Sequence, residues 1–114
     1  MQPIDMDRFE ELVGDALDAL PAGLASRMDN VVVCVEESHP GEDLLGLYEG
    51  IPLTESELYG AMELPDTVTL YRDQICAISR DEAEVTEQVR VTVVHEVAHH
   101  FGLDDDKLDE LGWA

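Results

Sequence analysis

Basic residues are scarce in this chain. Its 114 residues include 6 lysines and arginines against 27 aspartates and glutamates, so the formal charge is −21 at pH 7. A surface this negative repels the phosphates of nucleic acids and of anionic membranes. We therefore expect neither nucleic acid nor a membrane among the partners. The simplest interpretation of the charge is solubility, with a preference for basic peptide substrates as the alternative.

Cysteines are also few, and long apolar runs are absent. Cys34 and Cys76 are the two cysteines, and they are not spaced as metal ligands. No stretch approaches the length of a membrane span, and residues 1–7 have neither the basic start nor the apolar run of a signal peptide. We therefore expect a cytoplasmic protein in which both thiols are reduced and buried. The length predicts one domain, over residues 1–114.

The most informative stretch is residues 94–105. On a helix turning about 100° per residue, His95 and His99 are one turn and roughly 40° apart, so both imidazoles can face one metal ion. Glu96 has the position from which a carboxylate acts as general base on water that the metal activates. Gly102 can adopt a left-handed conformation that ends the helix, and Asp105 can then supply a third ligand. The pattern predicts one catalytic Zn²⁺ per chain.

The third ligand is less well defined, because Asp104, Asp105 and Asp106 are consecutive and all could approach a metal ion. Spacing favours Asp105. Asp104 is placed to cap a following helix that runs to about residue 111, and Asp106 would lie solvated in its first turn. His100 points about 140° away from His95 around the helix and is expected to pack beside the site instead of binding the metal.

The pattern His95-Glu96-x-x-His99-x-x-Gly102-x-x-Asp105 resembles the extended metzincin motif, with aspartate in place of the third histidine. Together with the short chain and the segment at residues 45–53, it resembles a small bacterial family of minimal zincin-like metallopeptidases. The resemblance implies a reduced zincin core and a peptidase acting on peptides or proteins. Larger metzincins have a methionine turn beneath the metal, whereas no methionine follows Asp105 here, so Leu108, Leu111 or Trp113 would have to replace it.

The remaining sequence predicts the scaffold. Residues 6–20 have the periodicity of an amphipathic helix with Asp5 as its N-cap. The β-branched run at residues 31–35 predicts a strand inside a sheet, with both of its faces covered. Residues 45–49 predict a second strand, and residues 67–71 predict a third strand with one face on the core. Residues 50–52 predict a turn, 54–64 a loop and 73–79 a short helical turn. His39, beside Pro40, is expected in a solvated loop.

The motif helix begins at one of two pairs with capping-box spacing, Ser79 with Glu82 or Asp81 with Glu84. The predicted fold is therefore α+β: a minimal zincin-like fold with a three- to four-stranded sheet, a backing helix, an active-site helix and a short C-terminal helix.

Two other functions compete with a peptidase. The missing methionine turn favours a catalytically silent, zinc-stabilised protein- or peptide-binding module, although such a module would have no need of Glu96. A small family of metal-dependent ribonucleases has a related histidine pattern, but with glycine after the first histidine and histidine as third ligand, and the acidic charge opposes RNA. The transition-state stabiliser and the oligomeric state stay open. Tyrosine hydroxyls are candidates for the former: Tyr48, Tyr59 and Tyr71.

Overall fold

The computed structural model describes residues 1–41, 43–50 and 64–113. The predicted loop at 54–64 and turn at 50–52 lie almost entirely outside these ranges. Within them the helices and strands, in chain order, are α1 (Met6–Asp18), α2 (Ala22–Ala25), a 3₁₀ turn (Ser26–Met28), β1 (Val31–Glu36), β2 (Gly46–Glu49), β3 (Asp66–Tyr71), α3 (Arg72–Ala77), α4 (Glu82–His100) and α5 (Asp105–Leu111).

The three described strands form one mixed sheet in the order β1-β3-β2. β1 is parallel to β3, with Val33 opposite Val68, and β2 is antiparallel to β3, with Tyr48 opposite Val68. The helices cover one face of this sheet. Because paired residues point to the same side, that face carries Val33, Val68 and Tyr48, all of which belong to the core or pack against it.

The positions of β1 and β3 correct the sequence-based expectation. The sequence predicts β1 inside the sheet, but β1 lies at the edge of the described strands, and its residues alternate between half-buried and exposed, with Val32 44% exposed. The sequence predicts one covered face for β3, but β3 is central and residues 68–71 are all buried. A run of valines has high strand propensity whether the strand is central or at an edge, so the sequence could not distinguish the two places.

α1 and α4 pack against each other on the helical side of the sheet. α1 contributes Phe9, Val13 and Ala16 to the core, as its periodicity predicts, and also Leu12, which the predicted apolar face did not include. Asp5 is the N-cap residue of α1, but its side chain makes no capping hydrogen bond, contrary to the sequence-based expectation. α4 approaches the sheet so closely at β2 that a Cβ added to Gly46 would lie 2.7 Å from the Thr92 methyl group.

The start of α4 follows the second of the two predicted capping pairs. Asp81 Oδ1 accepts a hydrogen bond of 2.9 Å from the Glu84 backbone N–H, which satisfies one of the free donors of the first turn. Ser79 instead ends α3, since its hydroxyl donates to the Ile75 carbonyl at 2.8 Å. α4 then presents a buried apolar face for its whole length, through the residues Val85, Val89, Val93, Val94, Val97 and Ala98.

No helix in the described part of the chain is both long enough and apolar enough to cross a lipid bilayer.

Candidate metal centre

The two histidines of the motif lie side by side on α4. The ring centroids of His95 and His99 are 5.8 Å apart and their planes differ by 19°, as expected for residues one helical turn apart. His95 is half-buried and His99 is exposed. The helix therefore brings both imidazoles to one face, as the sequence predicts.

Gly102 ends α4 and reverses the chain, also as predicted. Its φ is +78°, in the left-handed region, and its N–H donates to the His99 carbonyl at 3.0 Å. The next N–H, that of Leu103, donates to the Ala98 carbonyl at 2.9 Å, which completes a Schellman motif. Leu103 packs against the core, and this contact fixes the direction in which α5 departs.

The turn separates the roles of the consecutive aspartates. Asp104 caps α5, because its Oδ1 accepts a hydrogen bond of 2.9 Å from the Lys107 N–H. Asp105 is the first residue of α5, and its Oδ1 lies 3.6 Å from His99 Nε2. Asp106 is exposed. Of the three carboxylates, Asp105 is thus the one that the structure brings to a motif histidine.

The side chains of the three candidate ligands do not converge on one point. In the described ranges no group of three or more histidine, cysteine, aspartate or glutamate side chains is arranged to hold a metal ion. The donor set nevertheless fits zinc. Two ligand atoms at zinc's usual bond lengths and tetrahedral angle are roughly 3.3 Å apart, close to the 3.6 Å between His99 Nε2 and Asp105 Oδ1. The Asp105 side chain is 78% exposed, so it can change rotamer without disturbing the core.

Beside the histidines is an open cleft of about 250 Å³. Its floor is α4 and its wall is the start of β2 with the segment before it. Glu96 and His95 line the cleft, and Asp43 adds a further carboxylate. The Glu96 carboxylate makes no hydrogen bond or ion pair with any residue in the described ranges.

A cluster that the sequence did not reveal lies at the end of α4. The His100 ring stacks on Tyr48 with centroids 4.0 Å apart, and its Nε2 is 3.6 Å from Asp66 Oδ2. The Tyr48 hydroxyl donates to the same Asp66 oxygen at 2.6 Å. Burial, followed by this hydrogen bond, raises the pKa of the Tyr48 hydroxyl above its ordinary value. The cluster ties the last turn of α4 to β2 and β3, which is the packing role expected for His100.

Two further side chains correct the sequence-based expectations. His39, predicted to be solvated, is half-buried and packs edge-to-face on Tyr71, with ring centroids 5.3 Å apart. Cys34, predicted to be a core residue, is exposed because it points to the face of β1 opposite the helices, whereas Cys76 is buried as predicted. Tyr59, one candidate for stabilising a transition state, lies outside the described residues.

The predicted substitutes for a methionine turn have different environments. Leu108 is buried in the core and anchors α5. Trp113 is half-buried and packs against α2, where a Cβ added to Gly23 would lie 2.8 Å from its ring. Leu111 is 40% exposed, so it does not support the site from below. Leu108 is thus the one of the three that holds α5 against the rest of the molecule.

Comparison with known proteins agrees with this fold. A solved structure of a conserved hypothetical protein from T. thermophilus superposes with a TM-score of 0.56 at 22% sequence identity, over 86% of this chain and 94% of that one. Among curated proteins, none matches. The sequence model of the zincin-like metallopeptidases matches residues 28–113, which include all three strands, the motif helix and the turn after it. By this match over most of its length, the chain belongs to the zincin-like metallopeptidase family.

Proposed function

We propose that this protein is a zinc-dependent peptidase whose metal is held by His95, His99 and Asp105. The observation that carries the proposal is the Schellman turn at Gly102, which returns Asp105 to within 3.6 Å of His99 Nε2. A turn of this kind has no need to place a carboxylate beside a motif histidine for stability alone, because Asp104 already caps α5. His/His/Asp is a donor set that zinc accepts.

The chain's own residues divide the chemistry among them. The bound Zn²⁺ would supply Lewis acidity, which acidifies water and polarises the scissile carbonyl. Glu96, which has no competing partner among the described residues, takes the proton of the attacking water on its carboxylate and passes it to the leaving amine nitrogen. The Tyr48, Asp66 and His100 cluster keeps the end of α4, and with it His99, against the sheet.

An extended peptide is the substrate that the surroundings of the cleft favour. β2 is hydrogen-bonded to β3 on one side, and no described strand pairs with its other side. A peptide could add to this edge by backbone hydrogen bonds and so lie across α4 beside Glu96. Asp43 in the cleft wall, with the overall charge of −21, favours peptides with basic residues near the cleaved bond. We propose no nucleic acid or membrane as a binding partner.

The test is to incubate a proteome-derived peptide mixture with zinc-loaded protein and to identify new termini by mass spectrometry. We expect new termini with the wild type and about 10²-fold to 10⁴-fold fewer with Glu96→Gln, which removes the base but keeps the size of the side chain. The zinc content of both proteins is measured in parallel, so that loss of the base is not confused with loss of the metal. Equal cleavage by both proteins would contradict the proposed role of Glu96.

The exposure of the site favours a second candidate, a binding module in which zinc is structural. The His99 side chain is 57% exposed and that of Asp105 is 78% exposed, while efficient zinc hydrolases exclude water around the reacting groups. Such a module would bind one zinc per chain and produce no new termini. Glu96→Gln would then leave peptide binding unchanged, whereas a peptidase variant that cannot cleave should accumulate bound substrate.

A further inference from the structure

The outer side of β1 is a strand edge that no described residue covers by backbone pairing. Asn30 O accepts a hydrogen bond from the Asp66 N–H, so in the parallel ladder the even-numbered residues of β1 bond to β3. The N–H and C=O groups of Val31, Val33 and Val35 therefore point outward, and no described residue bonds to them. Residues 31–35 include no charge, proline or bulge, the devices by which proteins normally block such an edge.

An apolar groove accompanies this edge on the helical side. Two adjoining cavities of about 330 Å³ each lie between α1 and β1 and share Leu17 and Val33. We call them together the β1 groove; its other apolar walls include Val13, Leu20, Met28 and Val35. Gly14 lies in its wall, and a Cβ added there would meet nothing within 4 Å. Side chains of a strand added to β1 would enter this groove at every second position.

The charges around the β1 groove indicate what could fill it. Glu10 lines the groove, and Asp18 lies one turn after Gly14 on the same side of α1. Glu36, opposite Tyr71 in the sheet, ends β1 and points to the face away from the groove. None of these carboxylates forms an ion pair with a described residue. A ligand with cationic as well as apolar side chains would be attracted electrostatically to these carboxylates.

A second copy of the chain cannot bring those cations. Five of the six basic side chains are already paired with carboxylates of their own chain: Arg8, Arg72, Arg80, Arg90 and Lys107. The sixth, Arg27, lies over the Phe101 ring at 5.9 Å. Two chains that each have a formal charge of −21 also repel one another. The occupant must therefore be a different and basic polypeptide.

We propose that the β1 groove binds an extended segment of a partner protein in which apolar residues alternate with lysine or arginine. The segment adds a fourth strand beside β1, its apolar side chains enter the groove, and its cations lie on the opposite face of the sheet, the face to which Glu36 points. This binding site is separate from the cleft at Glu96, because β3 lies between β1 and β2, and the start of β2 forms the wall of that cleft. It does not depend on zinc or on catalysis.

The test uses the full chain and a blocked peptide of alternating lysine and valine, titrated by calorimetry at physiological salt. Two further peptides have the same charge but are N-methylated, one on the valines and the other on the lysines. Backbone pairing with β1 uses the N–H groups of every second residue of the peptide, and so those of either the valines or the lysines but not both. We expect one methylated peptide to lose affinity by about tenfold or more and the other to bind like the parent, whereas attraction by charge alone would leave both unchanged.

Two variants locate the binding site. Gly14→Leu fills the β1 groove at a position with open space, and should weaken binding of the parent peptide by about tenfold or more. Ala83→Leu adds the same side chain at an exposed position of α4, a helix that contributes no residue to the groove, and should bind normally. Unchanged affinity in Gly14→Leu, equal binding of both methylated peptides, or a concentration-dependent dimer that competes with the peptide would each overturn the proposal.

Discussion

At the scale of single residues, the division of labour between neighbouring aspartates is the most direct point to test. Asp105→Asn removes the carboxylate nearest His99 and should weaken zinc binding about a hundredfold, or about 2.7 kcal/mol. Asp106→Asn makes the same chemical change one residue later, at an exposed position, and should alter affinity by less than about twofold. Competition with a chromophoric chelator measures both. Similar losses in the two variants would assign the third ligand elsewhere.

Tyr48 should make stability depend on alkaline pH. Its pKa is raised in the folded protein, first by burial and then by the hydrogen bond to Asp66. A group whose folded pKa lies above its unfolded value of about 10 contributes stability that is complete below about pH 10 and is lost as pH rises towards the folded pKa. The free energy of unfolding should therefore decline above about pH 10.

Urea unfolding of the wild type and Tyr48→Phe measures this effect at pH values of about 8, about 10 and about 11, which bracket the pKa of an unfolded tyrosine. The decline should be smaller in the variant. It should not vanish, because burial also raises the pKa of Tyr71. Parallel curves for the two proteins would show that Tyr48 titrates no differently in the folded and unfolded chains.

At the scale of elements, we expect the turn after α4 to affect both the stability of the fold and the binding of zinc. Gly102 has φ +78°, and a Cβ there would meet nothing within 4 Å, so substitution costs backbone energy alone. Gly102→Ala should lower the free energy of unfolding by about 1–2 kcal/mol, and Gly102→Asn by less, since asparagine tolerates the left-handed region. Denaturant unfolding of the metal-free proteins measures this order.

The same pair of variants tests whether the turn positions Asp105. Zinc affinity should fall in Gly102→Ala and largely persist in Gly102→Asn, which keeps the Schellman motif. If zinc affinity stayed at the wild-type level in Gly102→Ala while stability fell, the turn would matter for folding and not for the metal. The prediction thus separates two roles of one glycine.

At the scale of the whole molecule, the formal charge of −21 should make salt stabilising. Raising ionic strength shortens the Debye length from about 30 Å at 0.01 M to about 3 Å at 1 M and so screens the repulsion among carboxylates. Salt also weakens the surface ion pairs, but exposed pairs contribute only about 0–1 kcal/mol each. Repulsion should dominate.

Thermal unfolding in increasing potassium chloride at pH 7 measures the balance. A net gain of about 1 kcal/mol would raise Tm by roughly 4 °C in a domain of this size. The control is the same series near the isoelectric point of about 4.1, where the net charge is small and the gain should disappear. A Tm that falls with salt at pH 7 would mean that the ion pairs outweigh the repulsion.

Local chemistry explains why much of the site could be predicted from sequence. The stacking of His95 and His99 follows from helical periodicity, the left-handed turn from the missing Cβ of Gly102, and the cap from the position of Asp104 before α5. Each depends on residues within one or two turns of chain. The order of the three strands and of the longer helices was likewise predictable from the periodicity of apolar residues, whereas the short α2 and the 3₁₀ turn after it were not predicted.

Contacts between distant parts of the chain could not be predicted in this way. Tyr48, Asp66 and His100 meet because β2, β3 and α4 pack together, and no local pattern marks Asp66 as a partner of either ring. The sequence misplaced β1 and β3 for the same reason. The strand propensity of a segment does not show which strands will lie beside it, and so does not show whether it is central or at an edge.

The sequence by itself determined the motif helix, the turn at Gly102, the cap at Asp104 and the acidic charge, since these depend on residue type and short spacing. Only the tertiary structure decided which strand is central, which valines lie on an open edge beside the β1 groove, and which groups hold the end of α4. The reason is physical: strand order and side-chain burial come from long-range packing, in which one face of a strand is covered or exposed according to elements far away in the chain.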